Sequence, residues 1–186
     1  LVARADCIVI FGVRIEIDTA AEAIDHLVDC ARRAARTTIS FVNPHCLNVA
    51  YRHKAYRQSL EASDYVLPDG IGIKLASKML RVNLRENVNG TDLFPRLCAR
   101  LAEEGQSIFL LGAREGIPEA VAANMNAQYP TLRIAGTQHG YFREDETPEV
   151  IERINQSGAD FLFVAFGVPK QELWLAEHRE ALRVPV

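Results

Sequence analysis

Asp69 stands in the run Y-V-L-P-D-G-I-G (residues 65–72), where an apolar stretch meets proline, an acid and two glycines. An extended apolar run stopped by Pro and Gly reads as the end of a buried strand, and the following I-G-I-K-L-A-S-K-M-L reads as the start of a helix. A carboxylate at such a junction can act as a general base, taking the proton of a substrate hydroxyl as that hydroxyl attacks. It can equally cap the next helix, and local sequence alone favours the cap. Asn43 closes the run T-I-S-F-V-N before Pro44 and is placed to cap a helix there. Gly112 and Gly116, ahead of a helix near Pro118, can present backbone N–H groups to a diphosphate, because helix N-termini carry unpaired donors and partial positive charge. Gln171 and Glu172 open the last helix and can meet a polar ligand, although Glu172 can also simply complement the helix dipole; Lys170 beside them reads as an exposed lysine or a phosphate partner.

These residues need a scaffold of strands that end where helices begin. Residues 7–17 suggest two short strands about Gly12, and T-A-A-E (19–22) is a capping box opening a helix with Ile24, Leu27, Val28 and Ala31 as its apolar stripe. Strands are expected over 38–43, up to Pro68, over 107–112, 132–136 and 159–167, the last as a buried strand. Helices are expected after N-V-N-G-T-D-L (87–93) to Gly105, from the Gly112 loop to near Tyr129, over 147–156 and onward from Pro169. Strands alternating with helices imply an α/β fold with a mainly parallel, Rossmann-like sheet covered on both faces and a short N-terminal β-hairpin. Such a sheet puts its strand-to-helix loops on one edge, so Asn43, Asp69, the Gly112 loop and the G-V-P-K-Q-E turn are expected to converge there. Residues 1–186 read as a single domain without repeat or linker.

Composition narrows the function. The chain is 48% hydrophobic and 24% charged, with a net charge of −3, so bulk electrostatics do not favour nucleic acid. The basic clusters at 32–36 and 52–57 read as solvated helix faces. Cys7, Cys30, Cys46 and Cys98 form no C-x-x-C pair and are expected to be reduced, buried thiols of a cytoplasmic protein. No segment approaches the ~20 apolar residues of a membrane helix, and the first residues do not resemble a secretory signal. The five histidines show no zinc-ligand spacing, and D-x-D, G-x-S-x-G, G-x-G-x-x-G and the Walker motif are all absent. No metal and no cofactor are therefore expected.

Read in order, the junctions resemble the WecG/TagA/CpsF family of bacterial glycosyltransferases. The resemblance is carried by N-P (43–44), L-P-D-G-I-G (67–72), V-N-G-T-D-L (88–93), F-L-L-G (109–112), Y-P (129–130), G-Y-F (140–142) and G-V-P-K-Q-E (167–172). It implies transfer of a sugar, commonly N-acetylmannosamine, from a UDP-sugar donor to an undecaprenyl-diphosphate-linked saccharide acceptor during cell-surface polysaccharide assembly. It also implies Asp69 as catalytic base, Asn43 and Gln171 as polar pocket residues, and Gly70, Gly112, Gly167, Pro169 and Glu172 as parts of the substrate-binding turns. Phe41 stands where many members have threonine, and Asn87 where many have arginine. The family continues into a basic, amphipathic C-terminal appendage that engages the inner face of the cell membrane, whereas this sequence stops at L-R-V-P-V.

The reading is thus a metal-independent, inverting glycosyltransferase, cytoplasmic and peripheral at the membrane when full length, with a homo-oligomer left open. One rival is a non-catalytic nucleotide-binding or scaffold protein, which would bind UDP without Asp69-dependent turnover. The other is a nucleotide-dependent oxidoreductase, which requires a glycine fingerprint and a following acid that the chain lacks.

Overall fold

The computed structural model describes the backbone of residues 2–4 and the whole of residues 7–186. Among the described residues, eight strands and eight α-helices make up an α/β protein with parallel sheets and an N-terminal antiparallel hairpin, as expected. Two compact units share the chain: one takes the elements up to His26, Thr37–Phe94 and Val168–Ala176, the other Leu27–Arg36, Pro95–Gly167 and Glu177–Val186.

In the first unit, strands β1 (Val2–Arg4), β2 (Cys7–Ile10) and β3 (Val13–Glu16) form an antiparallel sheet in that order. Phe11 and Gly12 join β2 to β3 with φ of 53° and 89°, the left-handed two-residue turn whose twist suits a hairpin. Helix α1 (Ala20–Arg32) opens on the anticipated capping box: Glu22 Oε2 accepts the Thr19 N–H at 2.8 Å, and Thr19 Oγ1 accepts the Glu22 N–H at 3.3 Å. Strands β4 (Ile39–Val42) and β5 (Tyr65–Pro68) pair in parallel with Val42 opposite Pro68, and β3 lies beside β5. Between them run α2 (Pro44–Arg52) and α3 (Lys54–Glu61), which meet at a corner the sequence reading did not anticipate. His53 ends one helix and starts the other, its Nδ1 accepting the Tyr56 N–H at 3.1 Å.

Helix α4 (Ile71–Met79) follows β5, and α5 (Gly90–Glu104) begins in this unit. The core gathers Ile8, Val13, Ile15, Val42, Tyr56 and Leu60, with Leu173 and Val168 packed against it.

In the second unit, β6 (Ser107–Gly112), β7 (Arg133–Gln138) and β8 (Phe161–Ala165) form a parallel sheet in the order β7-β6-β8. Helices α6 (Ile117–Gln128) and α7 (Thr147–Ser157) connect them. The expectation that the 159–167 run is a buried strand fails. It is the edge strand β8, in which only Phe161 is buried, while β6 at the centre is buried along its whole length. Apolar composition is alike in the two runs; flanking on both sides decides the outcome, and only β6 has it. Asp160 Oδ2 ties them together, accepting the Ser107 N–H at 2.7 Å and its hydroxyl at 2.8 Å. The parallel strands therefore fall in two sheets, β4-β5 and β7-β6-β8.

Helix α8 (Lys170–His178) follows the G-V-P turn, as the sequence predicts. All four cysteines are buried, and burial pushes the Cys98 thiol up to about 12. The basic cluster at 32–36 is ion-paired surface: Arg32 meets Glu104, Arg33 meets Asp29 and Arg36 meets Glu180. Among the described residues, no helix is long and apolar enough to cross a membrane.

Candidate active site

Asn43 and Asp69 close neighbouring parallel strands, so topology alone brings residues 26 positions apart in sequence side by side. The Asp69 N–H donates to Val42 O at 2.8 Å, extending the β4-β5 ladder one residue beyond β5 and holding the acid at the carboxyl end of the sheet. Both side chains are half-buried. Asn43 Oδ1 accepts the Cys46 N–H at 3.0 Å, the expected cap of α2. With its oxygen committed there, the Asn43 amide turns Nδ2 toward Asp69 Oδ2 at 3.4 Å. The Asn43 amide is thus a neutral donor to this carboxylate.

Asp69 does not cap α4, which corrects the local-sequence preference. The N-cap is Gly70, at φ +93° and without a side-chain cap bond. The carboxylate is turned to Asn43 instead, and the helix starts one residue later than an Asp69 cap would allow. The glycines of D-G-I-G have separate causes. Gly70 supplies the positive φ that turns the chain from strand into helix. Gly72 lets α4 lie on α2: a Cβ there would stand 2.1 Å from Pro44 Cγ.

Asn87 completes this corner and was not assigned a role in the sequence reading. Its Oδ1 accepts the Gly70 N–H at 2.7 Å. The irregular segment between α4 and α5 is fixed at three successive residues. Arg85 bonds Glu22 at 2.7 Å and Asp18 at 3.1 Å, Glu86 Oε2 accepts the Ala20 N–H at 2.8 Å, and Asn87 holds Gly70. The Thr19 N–H, followed by the Arg85 guanidinium, holds the Glu22 carboxyl down to about 2. Phe41, the other departure from the family pattern, lies against Gly90 at the start of α5.

In α8, Glu172 is 5% exposed, so it is more than an exposed complement to the helix dipole. Its Oε1 accepts from Gln171 Nε2 at 3.0 Å, whereas the buried Oε2 has no partner. Burial raises the Glu172 carboxyl above the ordinary carboxylate range. Tyr56, fully buried, has a hydroxyl without an oxygen or nitrogen partner, and burial followed by the nearby Glu172 charge raises its phenol. Tyr56 could not be found from sequence, because nothing local distinguishes it from a surface residue of the R-H-K-A-Y-R run. Lys170 is exposed, and the Val168–Pro169 peptide bond is cis.

Gly112 and Gly167 belong to the second unit. Gly112 has φ +131°, and a Cβ there would stand 2.4 Å from Ala165 O. The strand ends are laced together by Ala113 N–H to Ala165 O and Gly140 N–H to Ala113 O, each 2.9 Å. Helix α6 starts at Gly116, but its N-terminus already has an anion of its own. The α6 backbone N–H groups hold the Glu119 carboxyl below its ordinary range, and Thr137 donates to it at 2.8 Å. A diphosphate at that turn would compete with Glu119. Among the described residues, no three His, Cys, Asp or Glu side chains converge as a metal cradle.

Comparison with known proteins bears on this geometry. The family model described as "Glycosyl transferase WecG/TagA/CpsF family" matches residues 8–186. A Bacillus subtilis protein named N-acetylglucosaminyldiphosphoundecaprenol N-acetyl-beta-D-mannosaminyltransferase is 33% identical over 141 residues, covering 76% of this chain and 54% of its own. A Staphylococcus aureus protein of the same name is 36% identical over 138 residues, covering 73% and 53%. The chain spans about half the length of the curated relatives it matches.

Proposed function

Because the chain belongs to the WecG/TagA/CpsF glycosyl transferase family, we propose that it transfers N-acetylmannosamine or a related sugar from a UDP-sugar to a saccharide carried on undecaprenyl diphosphate. The observation that carries the reading is the Asp69 carboxylate at a parallel strand end, oriented by Asn43 and not spent on a helix cap. The acceptor hydroxyl attacks the anomeric carbon while Asp69 takes its proton. The bond to the UDP oxygen breaks, and UDP leaves with the electron pair. The β-linkage in the relatives' names supports inversion, since one direct displacement converts an α-linked nucleotide sugar into a β-linked product.

In the first unit, the reading assigns Gln171 and Glu172 to polar contacts with substrate, with Gly70 and Pro169 shaping the turns that present them. In the second, it assigns the Gly112 and Gly167 turns to binding through backbone N–H groups. The reaction is read as metal-independent and the protein as peripheral at the inner membrane face. The test is turnover: UDP-N-acetylmannosamine and related UDP-sugars are each incubated with an N-acetylglucosaminyl-diphospholipid, and the glycolipid product is measured. UDP binding without product for any donor would favour the non-catalytic nucleotide-binding reading.

A further inference from the structure

Helix α4 is amphipathic on two sides. Its inner face buries Ile73 and Ser77. Its outer face carries Ile71, Leu75 and Met79, which are 74, 57 and 85% exposed. Steps of four residues stack these side chains in one row opposite Ile73. A single exposed leucine needs no explanation, but a row of three large apolar side chains with no cover does. Lys74 and Lys78, also four apart and exposed, run beside the row, and Arg81 is exposed just past the helix end. From Gly70 to Leu84 the chain carries three cations, Lys74, Lys78 and Arg81, and no acid, although its net charge is −3. The strip is therefore a local reversal of sign around an apolar line.

We propose that this face of α4 docks on an anionic lipid bilayer, with Ile71, Leu75 and Met79 immersed at the headgroup boundary and Lys74, Lys78 and Arg81 against lipid phosphates. Charge selects this occupant. A neutral apolar partner would leave the lysines desolvated and unpaired, whereas an anionic bilayer meets the apolar row and the cations together. Reversible attachment usually needs both signals at once, and this short helix supplies both. The inference rests on the reading of the protein as peripheral at the membrane face and names the surface that makes the contact; it is separable from transfer, because lipid binding is measured without turnover. If both hold, the lipid-facing row begins two residues after Asp69, so the proposed base lies beside the surface from which a lipid-linked acceptor arrives.

The experiment is co-sedimentation of the chain with phosphatidylglycerol–phosphatidylcholine vesicles and with pure phosphatidylcholine vesicles, at low and high salt. The wild type should prefer the anionic vesicles by about tenfold, with the preference falling as salt rises. The doubly substituted Leu75→Gln, Met79→Gln chain should lose about tenfold in binding to the anionic vesicles. Lys74→Gln with Lys78→Gln should lose the preference for anionic lipid. These side chains are exposed, so circular dichroism and thermal melting should show all variants folded. No vesicle binding by the wild type, or equal binding by the wild type and the Leu75→Gln, Met79→Gln chain, overturns the proposal. Self-association abolished by Leu75→Gln, Met79→Gln, with no vesicle binding, would also overturn it and assign the face to a second copy of the chain.

Discussion

Asn43 serves Asp69 and helix α2 with one amide group: its oxygen caps the helix at 3.0 Å from the Cys46 nitrogen, and its nitrogen reaches Asp69 Oδ2 at 3.4 Å. Each bond fixes which end of the amide the other can use. The cap therefore sets the donor, and the donor orients the proposed base.

Asp69→Asn should fold normally and bind UDP as the wild type does, while kcat falls by roughly 10² to 10⁴-fold, the usual size of a general-base effect. Steady-state kinetics alongside UDP titration check this. Turnover within a few fold of wild type would remove Asp69 from the mechanism.

Asn43→Asp separates the two duties of that side chain. The new carboxylate can still accept the Cys46 N–H, so thermal stability should stay near wild type. It cannot donate to Asp69, and its charge disfavours a second ionised carboxylate nearby. The acid limb of the kcat/KM profile should therefore move to higher pH. Asn43→Ala, by contrast, should destabilise the fold by about 0.5–2 kcal/mol through loss of the cap. An unmoved profile for Asn43→Asp would show that Asn43 does not act on the base.

Asn87→Ala removes the acceptor of the Gly70 N–H and should cost about 1–3 kcal/mol, the usual consequence of leaving a shielded donor unpaired. Asn87→Asp keeps an acceptor oxygen and should recover most of that stability. Denaturant midpoints of the two variants decide it; if both are equally destabilised, the 2.7 Å bond is not what holds the Gly70 turn.

Glu172 should make stability fall as pH rises. Its carboxyl is raised by burial in the fold, so the folded state holds this proton more tightly than the unfolded chain. The contribution is complete below the unfolded carboxyl range, about 4.3. It is lost as pH rises through the raised folded value. Glu172→Gln has no proton to lose, so its melting temperature minus that of the wild type should grow across that window. Each kcal/mol corresponds to about 2–4 °C at this chain length. A difference independent of pH would mean that the buried carboxyl is not the titrating group.

EDTA should leave turnover nearly unchanged. The sequence has no D-x-D pair, and no three potential ligands converge among the described residues. A large loss reversed by added magnesium or manganese would identify a cation site built from fewer protein ligands.

Much of this architecture was legible because its causes are local. The Thr19–Glu22 box, Pro44 after Asn43 and the apolar runs leading to Pro68 and Gly112 each carry their signal within a few residues, and each element lies where that signal puts it. What was not legible depends on partners distant in sequence. Asp69 could be judged a cap only while its neighbour Asn43 was unknown, and Asn87 reaches Gly70 across 17 residues. The 159–167 run looks more buried than it is, because hydrophobicity cannot tell an edge strand from a central one. The I-G-I-K-L-A-S-K-M run announces a helix but not that its most apolar row faces outward.

The double duty of Asn43 also makes the first turn of α2 a reporter of what happens at Asp69. If that turn frays, the Cys46 amide is released to exchange with solvent, and the carboxylate loses its orienting donor in the same event. A substrate that locks Asp69 in place should accordingly slow deuterium uptake at Cys46, a residue on which the proposed reaction makes no chemical demand.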